Sequence, residues 1–164
     1  MRLIPRLLLL SAALPAFSGD YDALMSTLRK TWPDKTQVAV VCDQGSSKGA
    51  VTALAGAASG MKIMLIDVKG PQDMGKALGS LSGAKPDVVV LIAGDRVAGD
   101  GSPAATFLIQ RMAGVKVPVI ATTEAGAKQG AVFAVGNGTG GRLLVNPKAA
   151  AAVGISAPDG GTPI

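Results

Sequence analysis

The sequence predicts a single α/β domain of three layers, a doubly wound and mostly parallel sheet with helices on both faces. Two observations carry this. Short runs made almost wholly of apolar residues recur along the chain: QVAVVC, MKIMLIDV, DVVVLIA and VPVIA. Between consecutive runs lies one segment of helical length and composition. Strands apolar on both faces are those of a sheet covered on both sides, and single-helix crossovers make neighbouring strands parallel. Right-handed crossovers then give the flavodoxin-like order 2-1-3-4-5.

Each element has its own signal. Residues Asp20–Thr31 carry Leu24 and Leu28 at helical spacing and stop before Pro33. The first buried strand is Gln37–Cys42, which breaks at a polar turn, Asp43 to Ser47. An alanine-rich helix over Lys48–Ser59 is closed by Gly60, and Met61–Val68 is the second strand. Pro71–Ser82 reads as a helix ended by Gly83, Asp87–Ala93 as the third strand, Gly94–Gly101 as a polar loop and Ser102–Ala113 as a helix. Val117–Ala121 is the fourth strand and Ala131–Val135 the last, with Arg142–Val145 as its partner or continuation. Pro147–Val153 makes one or two helical turns. The Gly/Pro-rich tail, 158–164, is expected to be loose.

Composition narrows the function classes. A chain of 164 residues suits one domain that buries about two-thirds of its unfolded surface. Aromatic residues are scarce, so the core is built from Ala, Val, Leu and Ile, and an aromatic-lined pocket is not expected. Arg2 and Arg6, the apolar run Leu7–Leu14 and the small-x-small Ala16-Phe17-Ser18 form a secretory signal peptide over residues 1–18, cleaved after Ser18. The competing reading is an uncleaved anchor, but the run is short of the ~20 residues a membrane span needs. The mature domain, 19–157, is therefore expected in the periplasm, with no membrane insertion after cleavage. Without Arg2 and Arg6 the chain keeps 14 basic and 11 acidic residues, scattered singly rather than clustered on one face, which argues against a nucleic-acid partner.

The chain has no His and one Cys, Cys42. An internal disulfide is excluded, and a metal site would rest on carboxylates alone. Cys42 ends an apolar strand, where a buried inert thiol and a reactive or intermolecular one are both open. A Ser–His hydrolase is excluded, and no G-x-S-x-G elbow occurs. No catalytic residue, cofactor or metal is expected. Gly136-Asn137-Gly138-Thr139-Gly140-Gly141 matches G-x-G-x-x-G formally, but Arg142-Leu143-Leu144-Val145-Asn146-Pro147 follows instead of the helix that receives a pyrophosphate.

In an open α/β sheet a ligand sits beyond the carboxyl ends of the strands, where neighbours wind in opposite directions, here between strands one and three. Strand one delivers Asp43, Gln44, Ser46 and Ser47 there. Strand three delivers Asp95 and Arg96, and strand four Thr123 and Glu124. Carboxylates for an ammonium group, with hydroxyls and a helix N-terminus for a carboxylate, suit a small polar, amino-acid-like zwitterion. Ser46 or Ser47 serves equally as an N-cap, Thr123 with Glu124 equally starts a short helical turn, and Arg96 reads best as an ion-pair partner.

Two passages, Val117–Phe133 (VPVIATTEAGAKQGAVF) and Arg142–Pro158 (RLLVNPKAAAAVGISAP), resemble the second lobe of the ABC-transporter substrate-binding family, the periplasmic binding proteins that include tryptophan- and tyrosine-type binders. The lead-in Asp22–Ser47 is similar to that family's passage into its second lobe, with Cys42-Asp43-Gln44 where relatives carry Tyr-Asn-Pro. Asp95 resembles the family's Asp in the third-strand loop. The likeness covers Asp20 to Pro158, and a helix of relatives is missing before Arg142. It implies a lobe of a binding protein of an uptake or sensing system, with an ABC permease or sensor as partner. A homodimer mate or another chain would supply the second lobe. The alternative is an accessory subunit that pairs through the crevice face or a sheet edge, marked by an exposed patch of Leu143, Val145 or Phe133.

Overall fold

The computed structural model describes residues 18–164. The signal peptide expected over 1–18 lies, but for Ser18, outside the described residues. The described chain runs α1 (Ser18–Thr31), β1 (Gln37–Cys42), α2 (Gln44–Ala57), β2 (Lys62–Asp67), α3 (Met74–Ala84), β3 (Val88–Val90), α4 (Pro103–Gly114), β4 (Val119–Thr123), α5 (Glu124–Gln129), β5 (Phe133–Gly138), β6 (Leu144–Val145), α6 (Pro147–Val153) and β7 (Thr162–Pro163). A single 3₁₀ turn, Pro71–Asp73, leads into α3.

The sheet order is β2-β1-β3-β4-β5-β6-β7. The first five strands are parallel and follow the expected 2-1-3-4-5 order. β6 is antiparallel to β5, so Leu144-Val145 is a partner and not a continuation. The tail expected to be loose instead adds β7, parallel to β6, with Thr162 and Ile164 amides donating to the Leu143 and Val145 carbonyls. Those carbonyls would otherwise lie unpaired on the sheet edge, and pairing them offsets the ordering of the tail.

Strand alternation splits the core into two layers. Val38, Val40, Val88, Val90, Ile120 and Phe133 face α1, α2 and α6, where Leu24, Leu28 and Leu54 are fully buried. Ala39, Val41, Val89, Leu91 and Ala121 face α3, α4 and α5, meeting Leu81, Leu108 and Met112. Truncating one of these leucines to Ala costs about 2–5 kcal/mol. Small residues on this second side let helices lie close to the sheet, as the composition suggested. Trp32 stacks against Phe133 at 5.4 Å between ring centroids, and its indole N–H donates to the Ser156 carbonyl.

The patch of Leu143, Val145 and Phe133 expected to mark a sheet-edge partner is not exposed. Phe133 and Val145 are buried and Leu143 is half-buried, because β6, β7 and α6 close over that end of the sheet. Among the described residues no helix is long and apolar enough to cross a membrane.

Candidate functional site

The carboxyl ends of β1, β3 and β4 meet at the switch point between β1 and β3, as expected. A helical turn opens α2 at Gln44 with Asp43 as its N-cap, the carboxylate accepting from the Gly45 amide. The backbone leaves helical values at Ser47 (φ −108°, ψ 15°), and beyond this kink the alanine-rich helix runs on from Lys48 as its composition indicates. Neither Ser46 nor Ser47 caps the helix. Ser46 is exposed, and its hydroxyl donates to the Asp43 carbonyl; Ser47 is buried.

Asp95 is the hub of the crevice. Its Oδ2 accepts from the Asp43 amide at 2.9 Å and from the Ser47 hydroxyl at 2.5 Å. Its Oδ1 accepts from the Val97 and Ala98 amides at 2.9 and 2.8 Å. It is 7% exposed. Four donors fill the acceptor sites of one carboxylate, so its charge is spent within the protein.

Asp43 is held as tightly from the other side. Lys69 Nζ lies 2.9 Å from Oδ1, and the Arg96 guanidinium approaches Oδ2 through Nε at 2.9 Å and a terminal nitrogen at 2.6 Å. The Lys69 ammonium, then the Arg96 guanidinium, hold this carboxyl well below the usual carboxylate range. Asp67 also pairs with Lys69 and accepts from the Gln44 amide, which lowers its pKa; Asp43, then Asp67, raises that of Lys69. Lys69 and Asp67 were not among the sequence candidates. Their signal was position, since both directly follow or end the second strand. The cations keep an open side: the Lys69 and Arg96 side chains are 56% and 63% exposed.

On the strand-four side, Thr123 caps α5 by accepting from the Gly126 amide, and its hydroxyl donates to Asp100 Oδ2. Glu124 pairs with Lys128 at 2.6 Å along the helix, and that ammonium lowers its pKa. Asp100, in the loop before α4, was also missed by sequence reading, which stopped at the first acid of that loop. Its Oδ1 is buried with no hydrogen-bond partner, and burial pushes its pKa up. Gly126 is required beside it: a Cβ there would lie 2.5 Å from the Ala121 methyl and 2.9 Å from Asp100 Oδ2.

The structure thus brings Asp43, Gln44, Ser46, Ser47 and Asp95 together around one turn, and sets Thr123 and Glu124 on the next loop, tied to Asp100 and Lys128. The glycine-rich segment lies elsewhere. Gly136–Gly138 end β5, and Thr139 closes a tight turn through the carbonyls of Gly136 and Arg142, with no helix inside the motif. Among the described residues no group of three or more Cys, Asp or Glu could hold a metal ion.

No family model matches the chain, and no curated protein matches it. Solved structures do. A conserved domain protein from Vibrio cholerae superposes with a TM-score of 0.74 at 17% identity, covering 87% of this chain and 59% of that one. An ABC domain from Streptococcus pneumoniae, in complex with L-Trp, gives 0.72 at 15% identity, covering 88% and 60%. A ureidoglycine–glyoxylate aminotransferase from Bacillus subtilis gives 0.52 at 10% identity. The α/β fold is shared with these first two domains, and the chain spans about 60% of their length.

Proposed function

We propose that this chain is a substrate-binding lobe that holds a small polar, amino-acid-like ligand non-covalently at the crevice between β1 and β3, without enzymatic activity. One observation carries the reading: Lys69 and Arg96, each more than half exposed, converge on this crevice next to the exposed hydroxyl of Ser46 and the half-buried Gln44. The fold is shared with a domain solved in complex with L-Trp. Asp43 and Asp95 then act as supports, holding the cations and the loop in place, while Arg96 and Lys69 offer open N–H donors to a carboxylate. Glu124, half-buried and paired with Lys128, is the acid of the strand-four loop for an ammonium group. A periplasmic location after loss of residues 1–18, with an ABC permease or sensor as downstream partner, belongs to the same proposal.

Two closing lobes bury about 70–90% of a ligand of this size. A single lobe leaves one side in water, so a free amino acid should bind with a Kd near millimolar, about −4 kcal/mol. Calorimetric titration of the mature protein with L-tryptophan and a panel of other L-amino acids tests this. Saturable heat at millimolar concentration, lost in Arg96→Ala, supports the reading. No heat for any member of the panel at tens of millimolar would overturn it. Micromolar affinity in a strict monomer would overturn the one-sided geometry.

A second reading, an accessory subunit that pairs with another protein, is favoured by one observation: Phe107 and Val115 stand exposed on α4 and its cap.

A further inference from the structure

The large apolar side chains that the fold leaves in solvent fall mostly on one helix. Of the three among the described residues, Phe107 is 37% exposed and Val115 is 58% exposed, at α4 and its C-cap; the third is Ile164 at the tail. Phe107 stands between two depressions of about 610 and 520 Å³ that share it and Gly75, so they form one groove along the seam of α3 and α4. Val115 closes one end and Arg96 the other. On the α3 wall Gly75 and Gly79 are exposed, and a Cβ on either would meet nothing within 4 Å. A partner's backbone can therefore approach α3 closely at these two positions.

The charge around this groove has one sign. Neither α3 nor α4 contains an Asp or Glu. Lys76 and Arg111 rise from them, with Lys85 just beyond the end of α3, all exposed, while the Lys116 ammonium turns away to the Ala152 carbonyl of α6 at 2.7 Å. The Arg111 guanidinium lies over the Phe107 ring at 5.1 Å to the centroid. No ion pair among the described residues engages Lys76, Lys85 or Arg111. Asp73, just before α3, accepts from the Lys69 amide, and Asp100 is tied to Thr123.

We infer that the α3–α4 groove is a docking site for an amphipathic helix of a partner protein, apolar on the face that enters and acidic on its flanks. The apolar floor and open glycine wall accept a helical ridge, which is how an amphipathic helix lies in a groove. Lys76 and Arg111, on opposite walls, meet carboxylates flanking the ridge, which sets orientation and speeds encounter. A second copy of this chain brings the same positive charges to the same face, so it is disfavoured. A lipid surface is flat and cannot enter a channel between two helices. The site lies on the α3–α4 layer and stands independently of ligand binding at the crevice.

The test uses the mature protein and a synthetic peptide of about 15 residues, with Leu at i, i+3, i+4 and i+7 spacing and Glu elsewhere. A Lys-for-Glu counterpart and a scrambled peptide of the same composition serve as controls. Fluorescence polarisation should show saturable binding of the acidic helix alone, weakening as salt rises. Gly79→Leu fills the groove without removing any contact of the fold, and should weaken binding about tenfold or more; Arg111→Glu should weaken it too. Circular dichroism and the urea midpoint confirm that each variant is folded. The inference is overturned if the scrambled or basic peptide binds as well, or if Gly79→Leu leaves affinity unchanged. It is also overturned if Gly79→Leu dissociates a dimer of the parent protein, or abolishes its binding to phosphatidylglycerol vesicles while the peptide fails to bind. Loss of amino-acid binding at the crevice with peptide binding intact would sink the proposed function and leave this inference standing.

Discussion

The Asp43 amide donates to Asp95 Oδ2 at 2.9 Å, so the first residue beyond β1 is fastened to the loop beyond β3 across the switch point. The same Asp43 then anchors two cations with its side chain. Backbone and side chain of one residue thus join the rigid and the exposed parts of the crevice.

Asp95→Ala should leave the buried amides of Asp43, Val97 and Ala98 without acceptors. Stability should fall by about 3 kcal/mol or more, read from the urea midpoint. Asp95→Asn keeps one acceptor oxygen and should cost less. Equal losses for the two variants would mean that the carboxylate does not organise the crevice.

Asp100 and Asp43 should respond to pH in opposite senses. Burial raises the Asp100 pKa in the folded state, so its contribution is fully present below the unfolded value and is lost as pH rises through the folded one. Asp100→Asn should therefore stabilise the protein at pH 7 by about 1–3 kcal/mol, a gain that shrinks toward pH 3. Asp43, lowered first by Lys69 and then by Arg96, contributes above its unfolded pKa, and that contribution fades as pH falls through the folded one. Denaturation curves of the parent and both Asn variants between pH 3 and pH 8 check the two signs.

Burial first, and then the nearby Asp95 charge, push the Cys42 thiol up to about 12. The native protein at pH 8 should react with a thiol reagent orders of magnitude more slowly than the protein in urea. Prompt labelling of the folded state would contradict the burial of Cys42.

Two kinds of glycine should separate cleanly. Gly126→Ala meets the Ala121 methyl and Asp100 and should destabilise by about 1–3 kcal/mol. Gly49→Ala and Gly56→Ala lie in α2 facing open space and should each stabilise by about 0.5–1 kcal/mol. Thermal melts of the three variants give the order directly.

The sheet was legible because its signal is local: an apolar run such as Gln37–Cys42 tolerates few other states, and that strand has the expected bounds. The helical turn that precedes the Ser47 kink in α2 was not, since Gln44-Gly45-Ser46-Ser47 looks like a loop until Asp43 caps it and Asp95 fixes Ser47. The tail was misread for a related reason. Nothing within Pro158–Ile164 favours a strand, and only the unpaired carbonyls of Leu143 and Val145, distant in sequence, make one. At the crevice the sequence brought Asp43 and Asp95 to one place, as the fold does, and grouped Glu124 with them although that residue is tied to Lys128. It could not say what Asp43 and Asp95 hold. That depends on Lys69, which the fold brings from 26 residues away to Asp43.

The placement of α1 bears on when the protein can fold. This first described helix packs beneath strands that come late: the Asn137 amide donates to Asp20 across 117 residues, and the Trp32 indole reaches Ser156 across 124. At ribosomal rates the gap between making Asp20 and making Asn137 is on the order of ten seconds. Through that interval Leu24, Met25 and Leu28 have α2 and the early strands to pack on but lack the part of their surface that β5 supplies. That side of the core is therefore completed only when nearly all of the chain exists, which leaves a chaperone time to engage it before the last strands close over α1.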